Sequence, residues 1–133
     1  MSAPVCLITP PSPFLLDERV FVSLGILRVA ASLEQAGIAV EMVDCSGIEN
    51  YLDAAAAHAV RSSATVFGLT ATPPQLPAAR AIIERLRAVR PDARVILGGP
   101  HVTLVNAARR REAKDGRLGP AHTAFQGLRA HAD

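Results

Sequence analysis

The stretch from Val95 to Thr103 reads VILGGPHVT and joins an apolar run to two glycines, a proline and a histidine. The apolar residues predict a short buried strand. Paired glycines at its end bring bare backbone to the rim of a sheet, where a bulky ligand can approach closely. We therefore interpret this stretch as the floor of a cofactor site and the upstream chain as the scaffold that presents it.

Three further strands are predicted upstream of this stretch. Apolar sequence over 4–9 and 66–70 is almost unbroken, which is typical of strands covered on both faces of a parallel sheet. Residues 39–44 mix charged with apolar side chains and predict an edge strand with one partly wet face. The fourth strand covers 94–97.

Three helices with one apolar face each separate these strands. The first begins near Ser23 and stops at Gly37, the second is capped by Asn50, and the third lies between Pro77 and Pro91. The inward faces consist of Ile26, Val29, Ala30 and Leu33, then of Leu52, Ala55, Ala56, Ala59 and Val60, and then of Ala79, Ile82, Ile83, Leu86 and Val89.

Alternating strands and helices predict an α/β fold whose parallel sheet has helices on both faces. The apolar strands one and three belong in its centre, which gives a flavodoxin-like (Rossmann-like) doubly wound sheet of order 2-1-3-4. The ligand crevice lies beyond the carboxyl ends of strands one and three. After Thr103 we expect a helix over 104–114 and a short one over 121–132, but no fifth strand. Strand four is then an exposed edge.

Length and composition favour one domain over 1–133, interpreted as the N-terminal fragment of a longer protein. Half of the 133 residues are apolar, which suffices for a core. A net charge of +2 and few aromatic rings give no argument for nucleic acid, and the basic cluster in 109–117 is interpreted as a solvated helix face. We predict a cytoplasmic protein without a membrane span, in which Cys6 and Cys45 are buried thiols rather than disulfide or zinc ligands.

Several common cofactor and catalytic motifs are absent. The sequence contains no GxGxxG, no GxxxxGK[ST] and no GxSxG. Asp17 and Glu18 follow strand one near Asp44, as the acids of a phosphoacceptor pocket would. The end of strand three, however, holds Thr70 where that pocket needs an aspartate. The phosphoacceptor interpretation therefore fails.

Short motifs at the ends of the predicted elements carry a resemblance to a known family. These motifs are Thr9-Pro10-Pro11, Leu24-Gly25, Val43-Asp44, Phe67-Gly68-Leu69-Thr70 with Thr72, and Leu97-Gly98-Gly99-Pro100-His101-Val102-Thr103. In this order, from strand one to Thr103, the chain resembles the N-terminal cobalamin-binding domain of cobalamin-dependent radical S-adenosylmethionine enzymes.

The resemblance implies that the nucleotide tail of cobalamin enters a slot between a hydroxyl after strand three and the glycine pair after strand four. Threonines there can hydrogen-bond the tail, and glycines leave room for it. The predicted cofactor-binding residues are Pro10, Pro11, Asp44, Thr70, Thr72, Gly98, Gly99, His101 and Thr103. Two simpler roles stay open: Thr70 hydrogen-bonding its own loop, and the glycines forming a tight turn.

Two departures from related cobalamin proteins bear on mechanism. No Asp-x-His-x-x-Gly motif follows strand one, so we expect cobalamin with its benzimidazole displaced and no histidine below cobalt. Pro11, Phe14 or Leu16 would face the metal instead. His101 is expected on the strand-four loop, touching the tail or capping the next helix rather than ligating cobalt.

The second departure is the absence of a CxxxCxxC motif, so the chain alone is expected to catalyse nothing. The resemblance implies a parent enzyme whose [4Fe–4S] cluster and S-adenosylmethionine lie outside this chain and whose cobalt takes part in methyl or electron transfer. The expected partners are the radical domain of the parent or a second copy across strand four. The alternatives are a ligand-free protein-interaction module and, with less support, an FMN-binding domain.

Overall fold

The computed structural model describes residues 4–12 and 23–133. Four strands alternate with helices along the chain. The elements in order are β1 (Val5–Thr9), α1 (Leu24–Gln35), β2 (Val40–Asp44), α2 (Tyr51–Arg61), β3 (Val66–Thr70), α3 (Leu76–Val89), β4 (Arg94–Gly98), α4 (Pro100–Lys114) and α5 (Pro120–His131).

All strands are parallel and lie in the order β2-β1-β3-β4, which confirms the predicted flavodoxin-like sheet. The apolar strands β1 and β3 occupy the centre, and the more polar β2 forms one edge. Parallel strands all end at the same edge of a sheet, because each connecting helix returns the chain to the opposite edge. The carboxyl ends of β1 and β3 therefore open at the same rim as the Gly98–Gly99 turn.

The two faces of the sheet differ in how completely they are covered. The covered face carries Cys6, Phe67 and Val95, and helices α2 and α3 close it with a continuous apolar core. The open face carries Leu7, Gly68 and Ile96. There α1 contributes Ile26, Ala30 and the partly buried Leu33 to a small cluster around Leu7. Only the first face is therefore a complete core.

The predicted inward face of α2 is wrong at its end. Ala55, Ala56 and Ala59 are buried and Leu52 packs against the core, but the Val60 side chain is 64% exposed. Successive helical residues turn by about 100°, so the residue after Ala59 points away from the sheet. The predicted α1 face is wrong at Val29, which is 50% exposed, although Ile26 and Ala30 are buried. The predicted α3 face is confirmed, because its first four residues are buried and Val89 packs against the core.

Helix α4 begins at Pro100, four residues earlier than predicted, and so includes His101 in its first turn. Proline has a fixed φ that suits the first helical position, and the Thr103 N–H donates to the Gly99 carbonyl at 3.1 Å. The expectation that His101 lies on a loop is therefore wrong.

The outer edge of β4 is partly covered by the end of the chain. The Asp133 N–H donates to the Val95 carbonyl at 2.8 Å, and the Asp133 carboxylate accepts the Val95 N–H at 2.8 Å. Arg87 of α3 lies 3.1 Å from the same carboxylate. The prediction of a fully exposed fourth strand is therefore wrong at Val95.

Candidate functional site

A cavity of about 1020 Å³ lies on the open face of the sheet. Alternate residues of a strand point to the same face, so β1, β3 and β4 each contribute every second side chain to its floor. The strand residues of the floor include Val5, Leu7, Thr9, Val66, Gly68, Thr70, Ile96 and Gly98. The cavity extends to the carboxyl rim, where the crevice was predicted.

The cavity exists because α1 covers only part of this face. Ile26 packs on the β1 side, while Ile96 on β4 remains 54% exposed. Leu24 and Val29 of α1 are also exposed and form a side wall. In the part of the chain that the structure describes, apolar surface therefore faces an open space large enough for a sizeable organic ligand, since ligand sites typically measure about 300–1,000 Å³.

Two hydroxyl groups at the rim are free to bind a ligand. Thr9 ends β1 and Thr70 ends β3, and both side chains line the cavity. Neither hydroxyl has a hydrogen-bond partner within 4–12 and 23–133. A hydroxyl both donates and accepts, so this pair can hydrogen-bond phosphate, ribose or amide groups.

The two glycines at the carboxyl end of β4 have different environments. A side chain at Gly98 would meet no atom within 4 Å and would project into the cavity. A Cβ at Gly99 would instead lie 2.5 Å from Thr70 Oγ1 and 2.8 Å from the Ala71 nitrogen, and its φ is +98°. The space beside Gly98 is therefore open, and its use by a ligand stays a prediction. At Gly99 the space is filled by the protein itself, as a tight turn requires.

Thr72 belongs to a network that fixes the rim. Its hydroxyl and its N–H both donate to Gln75 Oε1 at 3.0 Å, and Gln75 Nε2 donates to the Pro10 carbonyl at 2.9 Å. Gln75 thereby ties the loop after β3 to the loop after β1. Thr72 lines the cavity, but its proton is already committed to Gln75.

The other predicted residues lie outside the cavity wall. Asp44 is exposed and accepts the Ser46 N–H at 2.9 Å, and the Thr103 hydroxyl donates to the Gly99 carbonyl at 3.1 Å. The main-chain N–H of His101 donates to the Ala71 carbonyl at 3.1 Å. Pro10 and Pro11 are buried beside the rim. The cavity thus brings together Thr70, Thr72, Gly98 and Gly99 from the predicted set.

None of the four histidines lines the cavity. His58 lies on α2 across the sheet and contacts Glu41, and His101 lies in α4. His122 and His131 lie in α5. Phe14, Leu16, Asp17 and Glu18, which the sequence suggested near the metal or in an acidic pocket, are outside the described residues.

Sequence reasoning missed several residues of the cavity. These include the polar residues Thr9, Ser12, Ser23, Ser46 and Gln75 and the apolar wall residues Leu24 and Val29. The sequence could have indicated Val29, because the apolar stripe of α1 is wider than the part of the sheet that the helix covers and therefore leaves an apolar side chain for a ligand. No sequence pattern indicated Gln75, because it acts by hydrogen-bonding the Pro10 carbonyl, 65 positions away in the chain.

Comparison with known proteins gives one family. The model of the B12 binding domain matches residues 18–129. No curated protein and no solved structure gave a match. Among the described residues, no helix combines the length and the apolar character that crossing a membrane would require. The family match spans most of the chain and agrees with the flavodoxin-like sheet, so the chain belongs to the B12 binding domain family.

Proposed function

We propose that the chain binds cobalamin with the nucleotide tail in the open-face cavity, between the Thr9 and Thr70 hydroxyls and the bare backbone at Gly98. Family membership supports cobalamin as the ligand. The observation that carries the position is the cavity itself, which is apolar along its floor and polar at its rim. An aromatic base suits the apolar floor, and ribose and phosphate suit the free hydroxyls.

We further propose that no histidine of this chain lies below cobalt. The absence of all four histidines from the cavity wall supports this arrangement. His101 lies in the first turn of α4, where its main-chain N–H donates to the Ala71 carbonyl, and its side chain is not part of the cavity wall. Bound cobalamin supplies a cobalt centre for methyl or electron transfer, while this chain holds the tail and positions the corrin.

The wider context is proposed from the sequence resemblance alone: this chain is the cofactor module of a radical S-adenosylmethionine enzyme. Reading the gene beyond the codon for Asp133 tests this directly. A following CxxxCxxC segment is expected. The proposal would be contradicted by a stop codon after Asp133 together with the finding that no separate protein with a CxxxCxxC motif binds the cobalamin-loaded chain.

The binding proposal is tested by mixing the purified chain with hydroxocobalamin, desalting it and recording the visible spectrum. Retained corrin absorption is expected at about one equivalent. A colourless protein at high cobalamin excess would instead support an interaction module, and yellow colour on purification would support FMN.

Gly98→Leu tests the position of the tail. The new side chain would occupy the floor of the cavity without meeting protein atoms at its Cβ. Overfilling a site costs about 1–3 kcal/mol, so affinity should fall roughly 5- to 150-fold. The matched control is Gly127→Leu on α5, where the nearest atom to an added Cβ is an Arg80 nitrogen at 3.8 Å. Equal affinity in both variants would refute the proposed slot.

The absence of a histidine ligand is tested by electron paramagnetic resonance of the protein loaded with Co(II) cobalamin. An axial nitrogen splits the cobalt lines, and we expect no such splitting. Splitting that disappears in His101→Ala would show that His101 is a ligand. Splitting that survives in that variant would point to retained benzimidazole.

A further inference from the structure

Three metal-binding side chains meet on the covered face, across the sheet from the cavity. Cys6 on β1 is the register partner of Glu41 on β2, and His58 lies above them on α2. The Cys6 Sγ, a Glu41 carboxylate oxygen and a His58 ring nitrogen all lie within 4.8 Å of one another. Three different elements thus bring a thiol, a carboxylate and an imidazole to one point.

The carboxylate of this cluster is oriented by its neighbours. Glu41 Oε2 accepts a hydrogen bond from Ser62 Oγ at 2.7 Å and lies 2.7 Å from His58 Nε2. Ser62 is itself fixed, because its Oγ accepts the Ala64 N–H at 3.0 Å. Burial acts to raise the pKa of Glu41, but the hydrogen bonds from Ser62 and His58 outweigh it and lower that pKa. Glu41 is therefore an anion at neutral pH.

We propose that Cys6, Glu41 and His58 form a site for a divalent cation of intermediate softness, of which zinc is the type. Zinc takes thiolate, imidazole and carboxylate ligands at about 2.0–2.3 Å, which places tetrahedral donors about 3.3–3.8 Å apart. The Glu41 and His58 donor atoms lie 2.7 Å apart and all three donors lie within 4.8 Å of one another, so side-chain shifts of about 1 Å or less bring them to this spacing. The His58 and Glu41 side chains are 33% and 25% exposed, so solvent reaches the cluster and a water can take the fourth position.

Charge balance favours a doubly charged ion at this point. A thiolate on Cys6 and the carboxylate of Glu41 carry two negative charges, and a divalent cation neutralises both. Buried charges are tolerated when they are paired or coordinate metals. Ser62 serves as an outer partner that orients the carboxylate, as hydrogen-bonded neighbours of metal ligands commonly do. The site lies on the opposite face from the cavity, so this inference does not rest on the proposed function.

Metal binding at this site must release a proton from Cys6. Burial, with smaller contributions from Glu41 and Cys45, raises the pKa of the Cys6 thiol to about 12, so the free protein holds the neutral thiol. The titratable groups that surround this sulfur are Glu41 and Cys45 from the β2 side and His58 from α2. On binding, the S–H proton leaves to solvent. The proton that His58 Nε2 donates to Glu41 leaves to solvent while Nδ1 takes one up from solvent, so the ring keeps one proton, on Nδ1, and Nε2 offers its lone pair.

The test uses the untagged, metal-stripped chain without cobalamin, and Co²⁺ as a spectroscopic probe. Titration should produce a sulfur-to-cobalt charge-transfer band and visible bands of tetrahedral intensity, saturating at one equivalent. Added Zn²⁺ should remove both. Below the thiol pKa, release of one proton makes the apparent affinity rise about tenfold per pH unit.

Variants separate the proposed ligands from their neighbours. Cys6→Ser should remove the charge-transfer band, and His58→Gln and Glu41→Gln should each weaken Co²⁺ binding by tenfold or more. The matched control is Cys45→Ser, which removes the other buried thiol and should leave the band unchanged. Circular dichroism confirms that each variant is folded.

The proposal is overturned if the wild-type chain gives no charge-transfer band at a large excess of Co²⁺. It is equally overturned if the band survives in Cys6→Ser or disappears in Cys45→Ser alone. Should Cys6→Ser fail to fold, the decision passes to His58→Gln, whose partly exposed side chain can be replaced without opening the core. Unchanged Co²⁺ affinity in that variant refutes the site.

Discussion

Replacing Gly99 with alanine tests how the rim of the cavity is built. The backbone there has φ +98° and ψ −178°, a region that is almost restricted to glycine and costs other residues about 1–3 kcal/mol. The added Cβ would also lie 2.8 Å from the Ala71 nitrogen, a backbone atom that cannot turn aside. Overpacking adds about 1–3 kcal/mol, so we expect Gly99→Ala to lower the free energy of unfolding by about 2–6 kcal/mol.

The assay is urea denaturation followed by circular dichroism, with Gly98→Ala as the matched control. An added Cβ at Gly98 meets no atom within 4 Å, so that variant should equal the wild type or exceed its stability by about 0.4–1 kcal/mol. A Gly99→Ala protein within about 1 kcal/mol of the wild type would refute the packing argument. Equal losses in the two variants would refute the distinction between these glycines.

Three further predictions concern the scaffold and the cavity wall. Arg90 donates to three main-chain carbonyls at and just after the end of α2, so Arg90→Met should lower the free energy of unfolding by about 1–3 kcal/mol. The control is Arg85→Met, which loses an exposed ion pair and should lower the free energy of unfolding by less than about 1 kcal/mol in the same urea titration. The N–H groups of Ala121, His122 and Gly119 lower the pKa of Glu112 from its ordinary value of 4.5, so this carboxylate stabilises the fold above that pH and loses its effect as the pH falls. The denaturation curves of the wild type and Glu112→Gln should therefore converge in acid, and a constant gap between them would contradict this. Ile96→Thr should change the free energy of unfolding by no more than about 0.5 kcal/mol, because the side chain is largely exposed. It should weaken cobalamin binding roughly 4- to 15-fold, the contribution of one or two buried CH₂ groups. Unchanged cobalamin retention would exclude Ile96 from the ligand contact.

The sequence predicted the sheet because its signals were local and repeated. Unbroken apolar runs at β1 and β3 indicate strands buried on both faces, and the charged residues of β2 indicate an edge. The errors fall where a tertiary contact decides the outcome. Val60 is apolar but follows Ala59 around α2 and points away from the sheet, and Asp133 pairs with Val95 through a contact that no local pattern encodes.

The candidate site was predictable only in part, for the same reason. Thr70 and Gly98 stand at strand ends, where topology alone brings them to one rim. The separate roles of Gly98 and Gly99 depend on the direction of a missing Cβ, which the sequence does not encode. The cluster of Cys6, Glu41 and His58 has no spacing motif, because its donors come from two strands and a helix. The thiols were correctly predicted as buried. The accompanying prediction that Cys6 is no zinc ligand is opposite to the site proposed above, because burial alone does not predict which neighbours Cys6 has.

Because one face of the sheet is left partly uncovered, we expect bound cobalamin to stabilise the folded state. On the covered face α2 and α3 supply the wall, whereas on the open face Leu24, Val29 and Ile96 remain exposed around the cavity. A ligand seated there removes this apolar surface from water and binds the native state alone. Saturation at 100 times the dissociation constant should then raise the free energy of unfolding by about 2.7 kcal/mol. Gly98→Leu should fold as well as the wild type without ligand but gain less from the same cobalamin concentration, and an equal gain in both proteins would place the ligand elsewhere.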